Sequence, residues 1–243
     1  MAKTDYTRLN QALIDLLSLG VPPIAITFLD APPAGVPRLE GPLTPPTADG
    51  RTGAVAAGCV FWMMAIHRTF ATVAADHGNC SVGSLTHGFK TLSEAAKCAD
   101  VAGLVEANWV AADAFPHLTT VGRKPGSIVY GPLAAATLAP DVVFLRVNGK
   151  QLMKLHAAYP ELRFEGKPQC HIVAIAKETG EFAASTGCAL SRERTHMPDT
   201  ELTFAFPGNR LAELVERLKA VHTADLRVAG YARKDAARFP PAG

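Results

Sequence analysis

The chain has 243 residues, enough for one large domain, and its 48% hydrophobic content can fill a core. Lys and Arg together number 24 and Asp and Glu 22, so the net charge is only +2 and does not indicate the basic surface typical of nucleic-acid binding. The first twenty residues carry charges where a signal peptide would be apolar, and nowhere do about 18 apolar residues follow one another. We therefore expect a cytoplasmic protein that neither crosses a membrane nor binds nucleic acid.

The first half of the chain alternates helices and strands. Leucines at helical spacing predict an amphipathic helix over residues 4–19, which Gly20 and the prolines after it end. Six further segments follow in chain order: a strand over 23–29, a proline-rich loop over 30–53, a buried helix over 54–66, a strand over 68–73, and helices over 80–89 and 92–107.

The second half continues the alternation. Its elements are strands over 127–130 and 142–147, a helix with Asn148 as N-cap, a helix over 169–177, strands over 181–186 and 202–206, and a helix over 211–221. Residues 223–243 are expected to be a loosely ordered C-terminal tail. Because strands interleave with helices throughout residues 1–243, the sequence predicts a single domain of the α/β (or α+β) class, with a mixed β-sheet flanked by helices.

Reactive side chains are concentrated in residues 59–87, which contain Cys59, Cys80, His67, His77 and His87. Thiolate and imidazole groups are ligands for zinc, copper and iron. The segment has no CxxC or HExxH motif, so a metal site here would have to be assembled from distant segments.

Two further cysteines, Cys170 and Cys188, lie beside Pro or Gly, as expected where the backbone comes close to another group. With Cys59 and Cys80 they could supply the four thiolates of a tetrahedral zinc site or of a four-iron cluster. The alternative is that each is a small buried hydrophobic residue, the commonest fate of a free cysteine. Cys98 has no Gly, Pro or His beside it and is interpreted as a packing residue.

A metal-free cysteine enzyme is a second interpretation of these residues. Cys80 follows a turn and could open a helix, whose dipole would favour the thiolate, with His77 or His87 as its base. A third interpretation is a heme or other tetrapyrrole site, lined by Trp62, Met63 and Met64, with a Cys or His as axial ligand.

Several short motifs occur together in a recognisable order. They are Cys59-Val-Phe-Trp, Asp76-His77-Gly-Asn-Cys80-Ser-Val-Gly83 with His87-Gly88-Phe89, Tyr130-Gly131-Pro132-Leu133, Pro140-Asp141-Val142-Val143 and Thr186-Gly187-Cys188. The set resembles the domain of unknown function 169 family over nearly the whole chain. The resemblance implies cysteines at the positions of Cys59, Cys80, Cys170 and Cys188 and none at Cys98, but no activity. Residues 189–196 depart from the family's pattern.

The leading hypothesis is a 4Fe-4S cluster held by Cys59, Cys80, Cys170 and Cys188, with redox or Lewis-acid chemistry on a small molecule. The protein would then be a metal-dependent oxidoreductase or lyase that meets a small-molecule substrate or an electron-transfer partner. His77 and His87 are the candidate acid–base residues, because each precedes a glycine at a turn. Heme, zinc (Zn) and the metal-free cysteine nucleophile stay open as alternatives.

Overall fold

Seven strands form a single mixed sheet in the computed structural model, which describes residues 4–40 and 56–238. The strands are β1 (Ile24–Leu29), β2 (Phe70–Thr72), β3 (Ser127–Pro132), β4 (Val142–Asn148), β5 (Arg163–Glu165), β6 (Ala183–Ser185) and β7 (Glu201–Pro207). Their order is β2-β3-β1-β4-β7-β6-β5, and β5–β6 is parallel whereas the other neighbours are antiparallel. The predicted α/β class, single domain and mixed sheet are confirmed.

Helices cover both faces of this sheet. They are α1 (Tyr6–Leu17), α2 (Gly58–Ala65), α3 (Ser81–Thr86), α4 (Leu92–Ala96), α5 (Ala99–Glu106), α6 (Gly149–Ala158), α7 (His171–Glu178), α8 (Ala189–Thr195) and α9 (Leu211–Arg238). Helices α1, α6 and α9 share one hydrophobic cluster, and α2 and α7 share the other. The layers are therefore helix, sheet, helix.

The strands are apolar on both sides because both sides are covered. In β1, Ala25 belongs to the cluster of α1, α6 and α9, whereas Ile24 and Ile26 belong to that of α2 and α7. In β4, Val143 belongs to the cluster of α1, α6 and α9, and Phe144 belongs to that of α2 and α7. This alternation is the two-residue period of a β-strand.

The predicted N-cap of α6 is confirmed in detail. The side chain of Asn148 accepts a hydrogen bond from the backbone of Gln151 at 3.0 Å, and the Gln151 side chain accepts one from the Asn148 backbone at 2.8 Å. This reciprocal pair satisfies two of the amide groups that a helix start leaves without partners.

Two predicted segments are wrong. The helix predicted over 92–107 is divided into α4 and α5, because the chain leaves the helical conformation at Cys98, which caps α5. The tail predicted from residue 223 is helical as far as Arg238, because α9 meets no proline before Pro240 and is rich in Ala, Leu, Arg and Lys. The short strand β5 and the helix α8 were not predicted.

The proline-rich loop falls partly within the described residues. Residues 30–40 contain no helix or strand beyond one bridge between Arg38 and Ala71, whereas 41–53 lie outside the described residues. Of the helices that the structure describes, none is both long enough and apolar enough to cross a membrane.

Candidate functional site

Four of the five cysteines line one pocket on the side of the sheet covered by α2 and α7. Cys59 lies in the first turn of α2, and the other three are N-cap residues: Cys80 of α3, Cys170 of α7 and Cys188 of α8. The pocket encloses about 510 Å³ of space free of protein atoms, part of it open to solvent. We call it the four-cysteine pocket.

The rest of the pocket wall is mainly apolar, with a few polar groups. Its large apolar side chains are Val82, Leu104, Trp109, Pro168 and Leu190, and its polar side chains are Asp100, Gln169, Ser191 and Arg194. Next to the wall, the ammonium group of Lys167 lies 4.3 Å from the centre of the Trp109 ring. Such a lining shields charge at the cysteines from water.

The four thiols are close enough to influence one another electrostatically in all six pairs. Burial, and after it the neighbouring Cys80, raises the pKa of Cys59 to about 11. Burial and then Cys80 raise the pKa of Cys170 well above its usual range, and burial raises that of Cys188. The surroundings of these thiols therefore favour the protonated form.

Hydrogen-bond donors from α8 face two of the sulfurs. The Ser191 hydroxyl lies near the Cys59 sulfur and lowers the pKa of that thiol, and the backbone amides of Leu190 and Ser191 lower the pKa of Cys188. Donors of this kind stabilise a thiolate over a thiol. Gln169 donates from Nε2 to the Ser191 oxygen at 2.5 Å.

Donors from α3 face the other two sulfurs. The backbone amide of Gly83 donates to the Cys80 sulfur at 3.4 Å. The Thr86 hydroxyl donates to the Gly83 carbonyl at 3.1 Å, and it also lies near Cys170 and lowers the pKa of that thiol. Donor groups thus lie near all four sulfurs.

Arg194 brings a positive charge to the pocket. Its Nη2 donates to the carbonyl of Asn79 at 3.3 Å, and its charge lowers the pKa of both Cys59 and Cys188. The Nη1 atom of Arg194 is buried and has no hydrogen-bond partner among the described residues.

The segment before Cys188 is held by an arginine clamp. Gly187 has a φ of 108°, a conformation that favours glycine, and a Cβ there would lie 3.1 Å from Arg192 Nη2. Arg192 donates to the carbonyls of Thr186, Pro198 and Glu201 at 2.8, 2.6 and 2.7 Å. These bonds fix the position from which Cys188 enters the pocket.

His77 and His87 lie behind the pocket rather than in its wall. Both are 1% exposed. The Nδ1 of His87 lies 2.8 Å from the Gly83 carbonyl and the Nε2 of His77 lies 3.0 Å from the Thr72 hydroxyl. Burial lowers the pKa of His87 to about 4 and that of His77 well below its usual value, so both rings are neutral at pH 7. Their acid–base role stays a prediction.

The residues suggested to line a tetrapyrrole pocket contact other parts of the molecule. Trp62 packs against Phe144 with ring centres 4.3 Å apart, and the Met63 sulfur lies 3.0 Å from a guanidinium nitrogen of Arg146. Neither they nor Met64 line the four-cysteine pocket.

Cys98 is the fifth cysteine and does not line this pocket. The interpretation of Cys98 as a packing residue is wrong, because its half-buried sulfur bonds to the ammonium group of Lys90 at 3.2 Å. The hydrogen bonds from Ser81 and Lys90 lower the pKa of Cys98.

Sequence reasoning missed Ser191, Arg194 and Gln169 as members of the pocket. Ser191 and Arg194 lie on α8, in the segment that departs from the family's pattern. Their spacing from Cys188, three and six residues, would have placed them near it had that helix been predicted. Gln169 directly precedes Cys170, so its position was the available signal.

The spacing of the thiols bears on which metal could fit. Among residues 4–40 and 56–238, no three His, Cys, Asp or Glu side chains are grouped closely enough to hold a single metal ion. The four cysteines thus share a pocket without forming a compact single-ion site.

A family model described as DUF169, uncharacterised ArCR, matches residues 12–217 of the chain. The chain belongs to the DUF169 family. The match confirms the resemblance seen in the sequence, and it spans all four cysteines of the pocket. The DUF169 chain has no match among curated proteins or among solved structures.

Proposed function

We propose that the four-cysteine pocket binds a 4Fe-4S cluster and that the protein uses it to transfer electrons. The observation that carries the proposal is the arrangement of four cysteines, from four separate segments, around one pocket. Cysteines that served only as packing residues would have no reason to meet in this way, since any small apolar side chain fills a core.

The electrostatics of the pocket favour a cationic centre. Thiols that raise one another's pKa in an apolar pocket lose their protons at a high cost in free energy when no cation is bound. A bound metal compensates their charge and holds them deprotonated. The donor groups near the four sulfurs, one of which is hydrogen-bonded to Cys80, suit thiolate ligands better than neutral thiols.

A cluster and a zinc ion would hold the four sulfurs at different separations. Four thiolates bound tetrahedrally to one zinc, at about 2.3 Å each, bring their sulfurs to within about 4 Å of one another. In a 4Fe-4S cluster each cysteine binds a different iron, and the irons and sulfides hold the thiolates farther apart. The iron, zinc and sulfide content per chain therefore distinguishes the two centres.

The number of ligands favours electron transfer over Lewis-acid chemistry. Four cysteines supply one thiolate to each iron, so no iron keeps an open position for a substrate. The chemistry is then the gain of one electron from a donor and its loss to an acceptor. The partner is an electron-transfer protein or a redox-active small molecule.

The test is anaerobic purification of the whole chain, followed by its visible absorption spectrum and by iron, zinc and acid-labile sulfide per chain. We expect brown protein with about four irons and four sulfides. Each of the variants Cys59→Ser, Cys80→Ser, Cys170→Ser and Cys188→Ser should lose most of this iron and sulfide. The matched control is Cys98→Ser, which changes a cysteine outside the pocket and should keep both.

Other results would overturn the proposal in distinguishable ways. One zinc per chain without sulfide would identify a structural zinc protein, and a Soret band would identify a heme protein. Protein without metal, even after reconstitution with iron and sulfide, would leave the metal-free thiol enzyme.

A further inference from the structure

Two hydrogen-bond donors within electrostatic range of the cysteines are buried without an acceptor, one in the wall of the four-cysteine pocket and one behind it. They are the hydroxyl group of Tyr130 and the Nη1 nitrogen of Arg194, and neither has a partner among the described residues. Buried donors are almost always paired in folded proteins, so two such groups around one pocket require an explanation. An acceptor that binds in the pocket provides one.

Tyr130 lies on the sheet, outside the pocket wall but within electrostatic range of Cys59 and Cys170. It is 0% exposed and lies on β3, with its ring centre 5.7 Å from that of Phe61 and 5.8 Å from that of Phe70. Cys59 and Cys170 pack against the same hydrophobic cluster. Burial raises the pKa of Tyr130 well above its usual range, and the two thiols raise it further, so the group keeps its proton.

Arg194 lies on α8, in the wall of the pocket. Its guanidinium group is anchored to the Asn79 carbonyl through Nη2, next to Cys80, and its side chain lines the pocket. The unpartnered Nη1 belongs to the same planar group, so its hydrogens are fixed in direction by that anchor.

We propose that the Tyr130 hydroxyl and Arg194 Nη1 donate hydrogen bonds to sulfur atoms of the cluster site and thereby raise its reduction potential. The inference rests on the proposed cluster. Reduction adds one negative charge, and donors or cations near the sulfurs stabilise the more negative state. Arg194 contributes a full charge as well as a hydrogen bond, so its effect is the larger.

The experiment measures the midpoint potential of the holoprotein by redox titration, after iron and sulfide have been counted. The variants are Tyr130→Phe, which removes only the hydroxyl, and Arg194→Met, which removes the charge at similar length. We expect Arg194→Met to disfavour reduction about tenfold, a shift of about 59 mV to lower potential for one electron. Tyr130→Phe should shift the potential in the same direction by less.

Matched controls lie on the other face of the sheet. Tyr159→Phe removes a tyrosine hydroxyl from the other hydrophobic cluster, and Arg217→Met removes a cation that contacts the same tyrosine ring. Both should leave the potential unchanged. A second readout is the exchangeable-proton coupling in the magnetic resonance spectrum of the reduced cluster, part of which should disappear in Tyr130→Phe.

The outcomes separate the two proposals. Wild-type protein that binds no iron or sulfide overturns the cluster itself. Full iron and sulfide with an unchanged potential in Tyr130→Phe and Arg194→Met overturns only the inference about the donors. Loss of the cluster from both variants, but from neither control, would also overturn it, because the two residues would then be needed for assembly.

Discussion

The ammonium group of Lys90 lies 3.2 Å from the sulfur of Cys98 and 3.0 Å from the hydroxyl of Ser81. Ser81 directly follows Cys80, so this cation lies just outside the four-cysteine pocket. The arrangement favours the thiolate of Cys98, whereas burial disfavours the thiolates of Cys59, Cys170 and Cys188.

Cys98 should therefore be the fastest cysteine to react with iodoacetamide, because the thiolate is the nucleophile. Since hydrogen bonds lower the pKa of Cys98, its rate should rise at a lower pH than that of an ordinary thiol. Lys90→Met should move the rise to higher pH, whereas Lys97→Met, at an exposed lysine nearby, should not. Peptide mapping by mass spectrometry gives the rate at each cysteine.

The same map tests the cysteine-nucleophile alternative. If Cys80 reacts first, ahead of Cys98, the thiol-enzyme interpretation gains the support that it lacks now. Equal rates at all five cysteines would contradict both expectations.

The Arg192 clamp should be needed for the stability of the Cys188 segment. Arg192→Lys keeps the charge but loses the fork that reaches the carbonyls of Thr186, Pro198 and Glu201. We expect the free energy of unfolding to fall by about 1–3 kcal/mol, the usual range for lost bonds to a charged group. Denaturation in urea measures it, with the exposed Arg233→Lys as control.

A second measurement links this clamp to the site. Because Arg192 positions the entry of Cys188, Arg192→Lys should also bind less iron at equal protein concentration. Unchanged stability and unchanged iron would show that the three carbonyls do not depend on this arginine.

Protonation of His87 should destabilise the protein in mild acid. Burial lowers the folded-state pKa of His87 from 6.5 to about 4, so between these values the unfolded chain binds the proton and the folded chain does not. His87 therefore costs no stability above pH 6.5. As the pH falls from 6.5 toward 4, the free energy of unfolding decreases by up to about 3 kcal/mol. His77 contributes in the same direction.

The measurement is the free energy of unfolding at pH 7.5 and at pH 5 for the wild type and for His87→Gln. The variant should lose less stability between the two pH values. His156→Gln, at an exposed histidine, should behave like the wild type. An identical loss in His87→Gln and wild type would mean that other groups dominate the acid response.

Helices and strands with a clear local sequence pattern could be predicted. Elements that form only through packing against distant parts of the chain could not. The cap at Asn148 and the strand β4 before it could be predicted because their signals lie within a few neighbouring residues. Helix α8 could not, because the sequence Ala189–Thr195 has no apolar stripe and forms a helix only where it packs against α2.

The site could be predicted only in part for the same reason. The sequence and the family resemblance pointed to the four cysteines, but separations along the chain carry no geometry. Their meeting depends on α2 and α7 covering the same face of the sheet. Tyr130 occurred in a motif of the family pattern but nothing in the sequence linked it or Arg194 to the cysteines, since an unpartnered buried donor is recognisable only in three dimensions.

The second half of α9 should contribute little to the stability of the fold. Leu226, Val228 and Tyr231 are at least 60% exposed, whereas Leu214 and Leu218, earlier in the same helix, are at most 1% exposed. A stop codon after Arg227 keeps the ion pair of Lys154 with Asp225 at 3.6 Å and removes the exposed end.

This truncation should change the free energy of unfolding by less than about 1 kcal/mol, because exposed side chains contribute little to it. Leu218→Ala should instead cost about 2–5 kcal/mol through the cavity it creates in the core. Urea denaturation of both proteins at several concentrations makes the comparison. The truncation could instead lower the free energy of unfolding as much as Leu218→Ala does, but only at protein concentrations at which the full chain self-associates. That result would mean that a second copy of the chain covers these exposed side chains.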